Sequence, residues 1–161
     1  MSETPIAKIT LPNEIFFADV AALVKQGRAV TISAKGASMY PFIRPSRDRV
    51  VLSAPASVSV GDIVLALLDG SNYVLHRVES IDGESVCLMG DGNIRNGERC
   101  EMKDILAKVT HIVRNGRPVS TASTFERTTA RLWCMLQPVR RYLLFAIRCF
   151  DRVRGINESD I

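Results

Sequence analysis

From Arg28 onward the chain is a succession of short aliphatic runs: RAVTISA, DRVVLSA, DIVLALL, NYVLHRVESI, SVCLM and DILAKVTHIV. Runs of this length, rich in Val, Ile and Leu, pair as strands rather than wind into long helices. The stretches between them, KGAS, RPSRD, Gly61-Asp62, DGSN, IDGE, GDGNIRNGE and RNGRP, are stocked with the Gly, Asn, Asp and Pro that reverse a chain. Residues 28–117 are therefore expected to form a compact, mainly antiparallel β domain. With 161 residues, 47% of them hydrophobic, the chain is sized for one domain with a real core.

Two helical segments flank this region. Residues 1–27 contain one over 12–26, with Pro12 and Asn13 suited to its start and Gly27 to its stop. Ile15, Val20, Leu23 and Val24 supply its apolar stripe. Residues 118–123 are small and polar and link to a second helical region over 124–154. There Leu132, Leu136, Val139, Leu143, Ile147 and Phe150 recur every three or four residues and share a face. Arg127, Arg131, Arg141, Arg148 and Arg152 fall near the opposite one, and Pro138 is expected to kink or split the helix.

Several classes are disfavoured. Cys87, Cys100, Cys134 and Cys149 form no C-x-x-C pair and only two histidines occur, so neither a zinc site nor a disulfide framework is expected. Reduced thiols in the cytoplasm are the plain reading. The opening MSETPIAKITLPNE lacks a basic region followed by an apolar run, as a secretory signal would have, and no apolar stretch reaches the roughly 18 residues of a membrane span.

Three segments could carry chemistry. In Gly36-Ala37-Ser38-Met39-Tyr40-Pro41 a serine sits between a flexible turn and a stiffening proline. This can fix a hydroxyl beside backbone N–H groups, as acyl transfer requires. In Tyr73-Val74-Leu75-His76-Arg77-Val78, His76 lies on the strand face opposite Leu75 and Arg77, and neutral imidazole is the usual base for a serine. In Met89-Gly90-Asp91-Gly92-Asn93, reaching on to Asn96 and Glu98, an acid could orient that histidine. Singly, each has an ordinary counterpart: a surface serine, a hydrogen-bonded strand histidine, a β-turn. The other histidine, His111, has no polar company in KVTHIV and reads as structural.

Taken in order, Ser38-Met39-Tyr40-Pro41, Asp48-Arg49-Val50, Gly61-Asp62-Ile63-Val64, His76-Arg77-Val78 and Gly90-Asp91-Gly92-Asn93 resemble the signal peptidase and LexA-like serine peptidase superfamily, across about residues 35–113. The resemblance implies a coiled, mostly antiparallel β fold. It makes Ser38 the nucleophile and His76 the base, as in the archaeal and endoplasmic-reticulum signal peptidases rather than in the lysine-base members. The stretch where that branch carries a supporting aspartate is Ile94-Arg95-Asn96-Gly97-Glu98 here. The supporting acid is then Asp91, or else Glu98. Gly36 stands where many bacterial members have a second serine, so the backbone N–H groups of Gly36, Ala37 and Met39 are left to form the oxyanion hole.

The expectation is a serine endopeptidase acting on a peptide or protein, without metal or organic cofactor. It is expected in the cytoplasm, with peripheral contact to the inner membrane open to residues 124–154, whose arginine and apolar faces suit a lipid interface. The alternative for that segment is packing on the β domain. Nucleic acid is not an expected partner, because no helix-turn-helix or aromatic-basic pattern accompanies the arginines. The rival to catalysis is peptide or partner binding on the same scaffold without turnover, and a membrane-surface adaptor working through residues 124–154 is a further one.

Overall fold

A computed structural model describes residues 13–94 and 97–154. Helix α1 (Asn13–Lys25) is followed by β1 (Val30–Ser33), β2 (Arg49–Ser53), β3 (Ile63–Leu68), β4 (Asn72–Asp82), β5 (Ser85–Met89), β6 (Glu98–Glu101), β7 (Ile105–Arg114) and β8 (Arg117–Ser120). Helices α2 (Thr124–Met135) and α3 (Arg140–Val153) complete the described chain. The strands form one sheet in the order β1-β2-β7-β3-β4-β5-β6, with β8 also on β7. All pairings are antiparallel.

The sheet curls because it is interrupted. Bulges fall between Val51 and Leu52, Leu65 and Ala66, and Val78 and Ser80, and each bends its strand and sharpens the local twist. Curling covers both faces of β3. That explains why IVLALL lacks the alternation of a half-exposed strand. One face of β3 offers Ile63 and Leu65 to a core with Val50, Leu52, Val109 and Ile112, closed by Val20 and Val24 of α1. The other offers Val64 and Ala66 to Val78, Val86, Leu88 and Ile105. Asn115 and Gly116 both have positive φ, the geometry of the tight hairpin turn that the Asn-Gly pair signals between β7 and β8.

The flanking helices depart from their expected faces in instructive ways. In α1 it is Phe17, stacked on Tyr73, that joins Val20 and Val24, while Ile15 is exposed. Pro12 lies outside the described residues; Gly27, with φ +81°, follows the helix as expected. Pro138 does split the C-terminal segment: a 3-10 turn over Gln137–Val139 separates α2 from α3. That turn resets the helical register, so the expected single apolar face does not form. Leu143 and Ile147 pack inward with Leu144 and Trp133, whereas Leu132, Val139 and Phe150 point to solvent.

Candidate active site

The serine turn is pinned from two sides. Gly36, at φ +82°, reverses the chain after β1, and the Tyr40 N–H returns to the Ala37 carbonyl at 3.1 Å. Ser38 is half-buried between. The next residue, Met39, plugs into the main sheet core, while Tyr40 plugs into a separate cluster with Trp133 and Leu144. Two side chains anchored in two different cores hold the serine at a fixed place. Asp48, buried, closes the far end of this excursion: its carboxylate accepts from the Arg44 backbone N–H at 2.9 Å and from the Arg47 guanidinium at 2.6 and 2.8 Å. Among the described residues, no backbone carbonyl accepts from the N–H groups of residues 36–39, so Gly36, Ala37 and Met39 keep the donors an oxyanion would need.

The Gly90-Asp91-Gly92 turn lies directly against the serine turn. The Gly92 N–H donates to the Ser38 carbonyl at 2.8 Å. A Cβ at Gly90 would stand 2.5 Å from that same carbonyl oxygen, and one at Gly92 would stand 2.5 Å from the Ala37 oxygen. Only glycine allows the two backbones to come this close.

Asp91 does not reach His76. Its carboxylate accepts from Arg77 Nε at 2.8 Å and Arg77 Nη2 at 2.6 Å, a two-pronged pair in which Asp91 is 1% exposed and Arg77 6%. Burial works against the Arg77 charge, but Asp91 more than restores it and holds the guanidinium above its ordinary value. The remaining guanidinium nitrogen, Nη1, donates to the Gly61 carbonyl at 2.7 Å. One side chain thereby joins the Gly61-Asp62, His76-Arg77 and Gly90-Asp91-Gly92 segments. Sequence reasoning missed this role. The His-Arg pair was visible, but a fully buried arginine is uncommon and nothing in the pair itself shows the guanidinium turning inward.

Glu98 takes the place expected first for Asp91. The His76 Nδ1 lies 2.6 Å from Glu98 Oε2. Strand pairing explains the contact: His76 lies opposite Val64 on β3, and Glu98 opposite Leu88 on β5, so the acid enters from β6 on the same face as Val64 and Leu88. An ionised carboxylate only accepts, so Nδ1 carries the hydrogen and a neutral ring keeps its lone pair on Nε2. That is the tautomer a general base requires. His76 is 5% exposed.

The serine turn is tied to β4 by a short relay, Ser38 carbonyl to Gly92 N–H and then Asp91 to Arg77, on the strand face opposite the His76 ring. Among the described residues no hydrogen bond joins the Ser38 hydroxyl to the His76 ring. Lys25, Lys35 and Lys103 are exposed and Lys108 pairs with Asp62 at 2.7 Å, so none of these is a buried lysine base. Arg95 and Asn96 lie outside the described residues. Nor, among the described residues, do three His, Cys, Asp or Glu side chains converge as a metal would require.

The C-terminal helices back the two turns. Trp133 Nε1 donates to the Asp91 carbonyl at 3.2 Å, and the Tyr40 hydroxyl donates to Asp151 of α3, which also pairs with Arg44 at 3.2 Å. Burial and the Asp151 carboxylate push the Tyr40 phenol up to about 12.

Residues 2–110, about two thirds of the chain, match the family model described as Peptidase S24-like. No curated protein matches the chain.

Proposed function

This chain belongs to the Peptidase S24-like family, and we propose that it is a serine peptidase with Ser38 as nucleophile, His76 as base and Glu98 as the acid that orients the base. The observation that carries this reading is the buried His76 ring fixed through Nδ1 by Glu98 at 2.6 Å, with Nε2 left to accept a proton. Ser38 Oγ bonds to the carbonyl carbon of the scissile peptide while its proton passes to His76 Nε2. The carbonyl electron pair moves onto oxygen, where the N–H groups of Gly36, Ala37 and Met39 donate to it. The C–N bond then breaks and His76 returns the proton to the leaving amine. Water, deprotonated by His76, attacks the acyl carbon; the bond from that carbon to Ser38 Oγ breaks, the new carboxyl end leaves, and His76 returns the proton to Ser38 Oγ. Glu98 accepts from His76 Nδ1 and stabilises the imidazolium.

In this reading the chain falls with the histidine-base members of the wider superfamily, supported by a His-Arg pair at 76–77 and by no buried lysine among the described residues. The compartment is the cytoplasm, at the membrane face; the unpaired state of Cys87, Cys100, Cys134 and Cys149 supports a reducing environment.

The test is cleavage of an unstructured peptide mixture, read as new termini by mass spectrometry. The purified chain generates them and a folded Ser38→Ala chain does not. New termini from folded Ser38→Ala protein would refute the assignment. A wild-type chain that binds peptides without cleaving any would instead favour the non-catalytic use of the same scaffold.

A further inference from the structure

The charge of this molecule is concentrated in one place. Residues 124–154 hold seven arginines, no lysine and two acids, a surplus larger than the net +4 of the whole chain. Both acids turn inward: Glu126 binds Arg114 at 2.7 Å and Asp151 binds Tyr40 and Arg44. Arg140 is also buried. The charge that α2 and α3 show to solvent is therefore entirely arginine, at positions 127, 131, 141, 148, 152 and 154.

Beside these arginines lies a second apolar face that the β domain does not use. On α3 the inward stripe is Leu143, Leu144 and Ile147. Tyr142, Ala146, Cys149 and Val153, spaced by three or four, form with Phe145 another stripe that is exposed throughout, with Phe145 at 71% and Val153 at 86%. Arg141, Arg148 and Arg152 run along its margin at spacings of seven and four. On α2, Phe125, Leu132 and Met135 are likewise exposed beside Arg127 and Arg131. Arg141 and Arg154 lie over the Tyr142 and Phe150 rings, at 4.5 and 4.2 Å, so cation and apolar surface are interleaved.

We propose that this outward face of α2 and α3 docks on a bilayer surface containing anionic phospholipid. Aromatic and aliphatic side chains enter the boundary between headgroups and acyl chains, and the arginines meet phosphate and carboxylate groups there. No helix among the described residues is long and apolar enough to cross a membrane, so the pair lies on the surface. A second copy of the chain is a poor occupant, because it would bring two arginine stripes together. The Trp133–Asp91 and Tyr40–Asp151 bonds mount the face rigidly behind the serine turn, giving the site a set orientation to the lipid. The proposal deepens the membrane-face part of the function given above and does not depend on cleavage.

The test is flotation of the full Ser38→Ala chain, which separates docking from catalysis, with phosphatidylcholine vesicles with and without phosphatidylserine. The chain floats with the anionic vesicles only, and added salt releases it. Phe145→Ser and Arg141→Glu, both at exposed positions and checked for unchanged circular dichroism, each lower the partition coefficient about tenfold or more. Absence of flotation, equal flotation with neutral lipid, or indifference to both variants would overturn the proposal. So would self-association abolished by Phe145→Ser in a chain that never floats.

Discussion

His76 and Arg77 are neighbours on one strand, yet the two faces of β4 put them to opposite uses. The Arg77 face is closed: its guanidinium is shared between the Asp91 carboxylate and the Gly61 carbonyl, and both charged partners are almost wholly buried. Among the described residues the His76 ring makes one polar contact, to a glutamate whose side chain is 37% exposed. A buried, two-pronged ion pair fixes geometry. An imidazole held through one nitrogen keeps the other for chemistry. The difference gives Asp91 a structural place and, in the proposed function, leaves Glu98 to orient the base.

The sharpest way to break this contrast is to exchange the roles. Asp91→Ala strands the buried Arg77 charge and should cost about 3–5 kcal/mol of stability, read by denaturant unfolding. Glu98→Ala, at a half-exposed position, should leave the unfolding midpoint nearly unchanged. If the two variants destabilise equally, the contrast fails. In activity the order reverses: Glu98→Gln should lower kcat/KM about 10²-fold while the chain stays folded, measured on any peptide the wild type cleaves. A smaller effect follows from the close approach of the two turns. Gly92→Ala places a Cβ against the Ala37 carbonyl and should destabilise by about 1–3 kcal/mol, seen as a lowered Tm.

The smallest effect concerns the helical support. The folded-state value of Tyr40, about 12, lies above the ordinary phenol value of 10.0. A raised value means that the folded state holds the proton more tightly. The contribution is complete below pH 10 and is lost as pH rises toward 12. Spectrophotometric titration should show one of the three tyrosines ionising last, and Tyr40→Phe should remove that late step.

Much of this was legible in the chain, for identifiable reasons. The strands declare themselves because aliphatic runs alternate with Gly, Asn and Asp turns, and the Asn115-Gly116 hairpin follows from the positive φ that its turn needs. Ser38 and His76 emerge from the order of five short motifs rather than from either residue alone. The acid was harder. Asp91 lies nearer the motif, but only the pairing of Leu88 with Glu98, beyond a bulge at Val78 and Ser80, decides which carboxylate shares a face with His76. In the C-terminal region the arginine pattern was visible, yet the break at Pro138 and the presence of two apolar stripes on α3 left the inward face undetermined until Trp133, Leu144 and Tyr40 were seen packed together.

The most direct test of the central claim is covalent. A serine-directed fluorophosphonate reacts only with a hydroxyl activated by a base and stabilised by an oxyanion hole. The account predicts a single adduct, mapped by peptide mass spectrometry to Ser38, absent in His76→Ala and slowed in Glu98→Gln, with Asp91→Asn compared only under conditions where it is folded. No adduct on the wild-type chain, or an adduct at Ser38 that persists undiminished in folded His76→Ala, would contradict it.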